Sequence, residues 1–256
     1  RIALLDNKNA TVTFEGGIYE GRSKGQSGSY NIIWNDGIIN LKNVKIKVTD
    51  VVPAKKEIVR IVDNFDGTLN IQDGTTLDNG GARAAVVEGG TVNMYGGTIT
   101  SSKGTGSGGI YAKEVKVVGG KISKFKTAIS SRYGKKEPIT IGNVTFENND
   151  SDIALVPSSE KKLIIQDDFK GTASVYVDSS VVPYIITTSG TSPDMRARIT
   201  YADRFGPHSV NYDTTGKYLY ASDHVHAWSY STSANKIIAT CTAKTDCEFN
   251  SGKLNL

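Results

Sequence analysis

The chain has 256 residues, of which 38% are apolar and 22% charged, with a net charge of +4, 27 glycines, 6 prolines and 2 cysteines. That is enough chain to bury one large core or two small ones, and the composition excludes a collagen, a disulfide-dense scaffold and a disordered tail. The longest apolar runs, such as Val181 to Ile186 with Pro183 inside it, fall far below the ~20 residues needed to span a bilayer, so no membrane-spanning segment is expected. The chain opens at Arg1 without a charged segment and apolar stretch of signal-peptide type. It reads as a piece of a longer protein, with any signal peptide either removed or lying outside it.

A repeat runs through the first two thirds. Val12, Phe14 and the turn at Gly16 are followed by Ile39, Leu41 and Asn43, then by Leu69, Ile71 and Asp73, and by Val92, Met94 and Gly96. Val115, Val117 and Gly119, Ile139, Ile141 and Asn143, and Leu163, Ile165 and Asp167 complete seven copies, with first positions 27, 30, 23, 23, 24 and 24 residues apart. Apolar alternation puts each pair on one face of a short strand, and a Gly, Asn or Asp in fifth position ends it in a left-handed turn. After each turn comes a third apolar position (Tyr19, Ile46, Leu77, Ile99, Ile122, Phe146). Further on comes a second apolar run: Ile32-Ile33, Val59 to Ile61, Val86-Val87, Ile110-Tyr111, Ile129, Ile153 to Leu155. Two or three strands per turn at constant phase predict an all-β chain folded as a parallel β-helix, right-handed by the rule for parallel connections. A β-sandwich also has short alternating strands but does not keep a constant phase. Stacking buries the apolar positions in continuous columns, and seven coils at ~4.8 Å make a rod roughly 34 Å long.

The stretch Gly90 to Ser101 followed by Gly108, Gly109, Ile110 and Tyr111 resembles the repeats of pectin-lyase-like right-handed β-helices in secreted surface proteins of Gram-positive gut bacteria. The resemblance covers roughly residues 10–180. It implies the fold, and it leaves activity open, since that superfold hosts lyases, hydrolases, adhesins and phage spikes. The paired-aspartate, Gly-His-Gly and Arg-Ile-Lys patterns of polygalacturonase-like enzymes are absent, as is the calcium-carboxylate cluster of a pectate lyase. Asn, Thr, Gly and Ser stand where those motifs belong.

From about Gly171 the phase fades, and residues 171–222 read as irregular final coils and a cap, closing a β-helical unit over 1–222. Residues 223–256, with His224, His226, Trp228 and Tyr230 followed by Lys236 to Cys241, read as the start of a small β module cut off at Leu256. Cys241 and Cys247 flank a five-residue turn. An extracellular disulfide clasping that turn is the expectation, with two free thiols in a reducing compartment as the alternative.

Chemistry is sparse. All three histidines (208, 224, 226) fall outside the helical body. His224 and His226 share a strand face but lack a third metal ligand, and Asp63 to Gly67 lacks the spacing of an EF-hand. No metal or cofactor is expected, and neither a nucleophile elbow nor a phosphate-binding loop is present. Glycoside hydrolysis would have to draw on Asp73, Asp78, Glu88 and Glu114, and lyase chemistry on Arg83, Lys113 and Arg132. Charge speaks more clearly: residues 103–136 carry nine basic side chains against one acidic. Lys113, Lys116, Lys121, Lys124, Lys126 and Arg132 are therefore the candidate ligand-binding residues, for an acidic glycan or cell-wall polymer, whereas base-stacking aromatics for nucleic acid are missing. Asn40, Asn70 and Asn93 form a file whose amides can ladder between coils. The sequence thus suggests a secreted or wall-attached adhesin or glycan-binding stalk, with a carbohydrate-active enzyme and a plain structural spacer as alternatives.

Overall fold

The alternation becomes three parallel sheets in the computed structural model, which describes residues 5–22, 29–49, 58–131, 138–155, 162–177, 184–203, 206–222, 228–233, 236–242 and 254–255. Each coil contributes one strand to each sheet in turn, giving a parallel β-solenoid of about seven turns. Sheet 2 stacks Thr11–Glu15, Ile38–Lys42, Thr68–Ile71, Thr91–Met94, Glu114–Val117, Ile139–Ile141 and Leu163–Ile165. Its register aligns Val12, Ile39, Leu69, Val92, Val115, Ile139 and Leu163 in one column and Phe14, Leu41, Ile71, Met94, Val117, Ile141 and Ile165 in the next, as the repeat requires. Sheet 3 stacks Ile18–Arg22, Lys45–Thr49, Thr76–Asp78, Thr98–Thr100, Lys121–Ser123 and Thr145–Glu147, and carries the third column, Tyr19 to Phe146. Away from the rod's ends these side chains are wholly buried. Each contributes roughly 1.5–3 kcal/mol relative to exposure.

Sheet 1 stacks Leu5–Asn7, Ser29–Asn35, Ile58–Asp63, Ala85–Glu88, Gly106–Ala112, Phe125–Ser131 and Ser151–Leu155. Its inward column is Ile33, Val62, Val87, Ile110, Ile129 and Ile153, so the run Val59 to Ile61 in the sequence stops one residue short of the column member. The turn from sheet 2 to sheet 3 also differs from expectation. The left-handed residue is the fifth of the repeat at Asn43, both the fifth and sixth at Gly16 and Gly17, and the sixth at Gly74, Gly97 and Gly120. The cause is close stacking of successive turns. A Cβ on Gly97 would lie 2.6 Å from the Thr75 carbonyl oxygen, and one on Gly120 would lie 2.5 Å from that of Gly97.

Sheet 1 outlasts the other two. Its parallel pairing continues past Gly171 through Ala173–Val177 and Ile199–Asp203, after which Gly206–Asp213 and Tyr218–Ser222 fold back antiparallel and Tyr184–Ile185 pairs with the latter. A 3-10 helix, Pro193–Arg198, packs beside these strands. Trp228–Ser233, Lys236–Cys241 and Leu254–Asn255 make a separate three-stranded antiparallel sheet. Among the described residues no helix is long and apolar enough to cross a membrane.

Candidate functional site

The outward face of sheet 1 is where side-chain chemistry gathers. Its strands bend, so that two neighbouring residues turn inward together, as Ile61-Val62 and Val86-Val87 do. The residues on either side of each pair then face out: Arg60 and Asp63, Ala85 and Glu88, Gly108 and Tyr111, Thr127 and Ser130. Parallel register stacks Trp34, Asp63, Glu88, Tyr111 and Ser130 in one row and Ala85, Gly108 and Thr127 in another. The small residues of the second row leave a groove of about 400 Å³ walled by Arg60, Arg83, Glu88 and Tyr111. It spans four strands, about 14 Å at the spacing of a sheet.

Two devices hold the groove's walls. Arg60 donates through Nε to Glu88 Oε2, with the two side chains only 19% and 22% exposed, and Asn31 Nδ2 donates to Asp63 Oδ2 at 2.8 Å. Among the described residues no carboxylate is seen paired with Arg83, an exposed residue that lines the groove. At the corner leading to sheet 2, a buried amide ladder runs from Asn7 Nδ2 to Asn35 Oδ1 (2.8 Å) and from Asn35 Nδ2 to Asn64 Oδ1 (2.6 Å). That ladder fixes the neighbours of Asn35 and Asn64. Trp34 and Phe65 stack with ring centroids 5.4 Å apart at 22°, Phe65 stays 48% exposed, and Lys113 Nζ sits 6.0 Å from its ring centre while pairing with Asp66. An aromatic platform with a cation beside it therefore adjoins the groove.

The basic block is spread around its coils. Lys113 lies at the corner between sheets 1 and 2. Lys116 faces out from sheet 2 between Asn93 and Thr140, and Lys126 is exposed at the start of a sheet 1 strand. Lys121, on sheet 3, donates to Glu147 Oε2 at 2.9 Å, and Lys124 adds its charge there from a left-handed corner (φ 67°). The hydrogen bond from Lys121, then its charge, holds the Glu147 carboxyl below the usual carboxylate range. Lys121 and Lys124 thus share a neighbour in Glu147, Lys113 sits beside Phe65, and Lys126 aligns with the groove residue Ser107. Arg132 lies outside the described residues, as do Cys247, His224 and His226. Cys241 closes a strand opposite Trp228.

The four candidate carboxylates do not converge. Asp73 sits at the corner between sheets 2 and 3. Asp78, on sheet 3, accepts from the amides of Gly80 and Ser102, each at 2.9 Å, and Glu114, on sheet 2, accepts from Thr91 Oγ1 at 3.0 Å. Glu88 alone enters the groove, with Arg83. The Asn file does ladder: Asn70 Nδ2 donates to Asn40 Oδ1 at 2.8 Å and Asn93 Nδ2 to Asn70 Oδ1 at 3.0 Å. Arg60, Tyr111, Trp34 and Phe65 belong to the site without any local motif in the sequence that marks them. Aligning the sheet 1 strands by the repeat would have put Asp63, Glu88 and Tyr111 in one row.

No protein-family model, no curated protein and no solved structure matches this chain. What stands is the parallel β-solenoid and the surface it carries.

Proposed function

We propose that this chain is an extracellular glycan-binding rod, a right-handed helix of the pectin-lyase-like kind from a bacterial surface protein, which takes an acidic polysaccharide along the outward groove of sheet 1. One observation carries the reading: a groove as long as a short oligosaccharide presents Arg83 without a carboxylate partner among the described residues, next to Tyr111 and a stacked Trp34–Phe65 platform. A guanidinium fork matches a sugar carboxylate in two hydrogen bonds, and aromatic faces accept the apolar face of a pyranose. Binding is favoured over cleavage because glycoside hydrolysis needs two carboxylates across the scissile bond. Glu88 is the one carboxylate lining the groove among the described residues, and Arg60 occupies it.

The test is affinity electrophoresis and calorimetry with polygalacturonate, hyaluronan and neutral dextran at two salt concentrations. The acidic chains bind in a salt-sensitive way and dextran does not. Arg83→Ala weakens binding at least about tenfold. Gly108→Leu, whose Cβ meets its neighbours at ordinary contact distance (3.5 Å from Ala85 Cβ), blocks the groove without altering charge. The triple variant Lys116→Ala, Lys121→Ala, Lys124→Ala leaves binding unchanged. The opposite pattern, loss in the triple variant alone, would return the site to the basic block. New reducing ends or unsaturated products during incubation would make the chain an enzyme.

A further inference from the structure

A second crevice lies away from that groove, in the cap, where the 3-10 helix Pro193–Arg198 faces the strands Ile199–Asp203 and Gly206–Asp213. It measures about 880 Å³ and is lined by Asp194, Arg196, Tyr201, His208 and the saturated surfaces of Pro193 and Pro207. A volume of this size suits one or two sugar rings.

Its lining is fixed from behind. Asp203 is almost wholly buried, with a side-chain exposure of 1%, and its Oδ1 lies 3.0 Å from His208 Nε2. Tyr201 packs against both His208 and Tyr184, with ring centres 5.8 and 6.0 Å away. Arg196 is anchored through Nε, which donates to the Val210 carbonyl at 3.0 Å, so the rest of its guanidinium projects from a held position. The exposed lining carries one acidic and one basic side chain, Asp194 and Arg196, of opposite sign. An ion gains little from such a lining. A neutral polyol, which donates to the Asp194 carboxylate and accepts from Arg196 through neighbouring hydroxyls, uses both. The proline rings and Val210 offer flat saturated surface to the apolar face of a ring.

We infer that the cap crevice is a second carbohydrate site, separate from the groove and selective for a neutral mono- or disaccharide unit. Asp194 and Arg196 hold its hydroxyls, and Asp203 acts through His208 as a positioning pair.

The experiment is saturation-transfer NMR on the full chain with methyl glucopyranoside, methyl galactopyranoside, N-acetylglucosamine and lactose, and with galacturonate as the charged comparator. At least one neutral sugar receives saturation at millimolar concentration. The double variant Asp194→Ala, Arg196→Ala weakens that binding at least about tenfold. Both side chains are exposed, so its melting temperature should match that of the parent. Arg83→Ala, in the groove, leaves the neutral-sugar signal unchanged even if acidic polysaccharide binding fails altogether. Absence of transfer to every neutral sugar overturns the inference. So does a signal that survives the double variant, one that vanishes with Arg83, or a stronger response to galacturonate than to the neutral sugars.

Discussion

The solenoid body and its cap bury comparable apolar side chains but by different rules. In the body every coil repeats its neighbour, so Leu69 meets Ile39 and Val92 in the same way that Val115 meets Val92 and Ile139. Stability there is a sum of equal coil-to-coil interfaces. In the cap, sheet 1 carries on while sheet 2 contributes only a parallel bridge from Leu163 to Thr187, and the space is filled by non-repeating contacts: Tyr184 on Tyr201, Tyr201 on His208, His208 on the buried Asp203. The body therefore tolerates change in any one outward residue, and the cap depends on a few particular ones.

The sharpest break comes from the middle of the column. Val117 is fully buried between Met94 and Ile141. Val117→Asp puts an unpaired charge there and costs more than about 4 kcal/mol, enough to unfold the coils around it. Loss of the cooperative melt by circular dichroism checks this. His208→Ala should cost about 3 kcal/mol, by removing a partner from a buried carboxylate. Hydrogen exchange should show that loss confined to residues 199–222, with the body still protected. Adding Asp203→Asn recovers part of it, because the buried charge is then gone.

The same contrast explains what could be read in advance. Val12 to Leu163 and Phe14 to Ile165 announce their columns through spacing alone, because a stacked coil forces chemically similar residues to recur at one phase. The outer file of Asn40, Asn70 and Asn93 was legible for that reason. The inner ladder of Asn7, Asn35 and Asn64 was not: it lies at a corner whose length varies, 28 residues in one step and 29 in the next, and it ends where the following coil places Gly89. The groove was hidden by the same irregularity. Arg60 reaches Glu88 only because the bend in sheet 1 turns Val86 and Val87 inward together, and strict alternation from Val86 would have placed Glu88 inside. In the cap the 24-residue step lasts only as far as Thr187, which pairs in parallel with Leu163, and nothing in the spacing joins Tyr201 to His208. In the basic block, neighbours in sequence around a coil face different directions, so closeness along the chain does not show which of its lysines share a face.

The two ladders give a finer test. Asn35 donates to Asn64 and to the carbonyls of Gly37 and Thr68, and accepts from Asn7 and the Gly37 amide, all in the interior. Asn35→Ala leaves several of those groups unpaired and should cost about 2–3 kcal/mol. Asn70→Ala, on the outer face where water replaces the lost partners, should cost about 0.5–1 kcal/mol. Equal losses in urea titrations of the two variants would mean that the inner corner is open to water, and would remove the support given to Trp34 and Phe65.

The smallest effect belongs to the ion pairs on the rim of the body. Lys121 holds the Glu147 carboxyl below its ordinary value of 4.5, chiefly by hydrogen bond and then by charge, with Lys124 assisting. Lys42 does the same for Glu15 on the first coils. A carboxyl depressed in the folded state stabilises the fold above its unfolded pKa, and that contribution is lost as pH falls through the depressed value. Lys121→Ala should therefore raise the Glu147 titration midpoint toward 4.5 in carbon-detected NMR, leaving a remnant from Lys124, and should leave Glu15 untouched. High salt should shift both glutamates in the same direction, since both pairs are solvent-exposed and screened. A Glu147 midpoint that ignores both Lys121 and salt would show that the lysines of this coil point away from it, and the basic residues would then be free to act together on an anionic ligand.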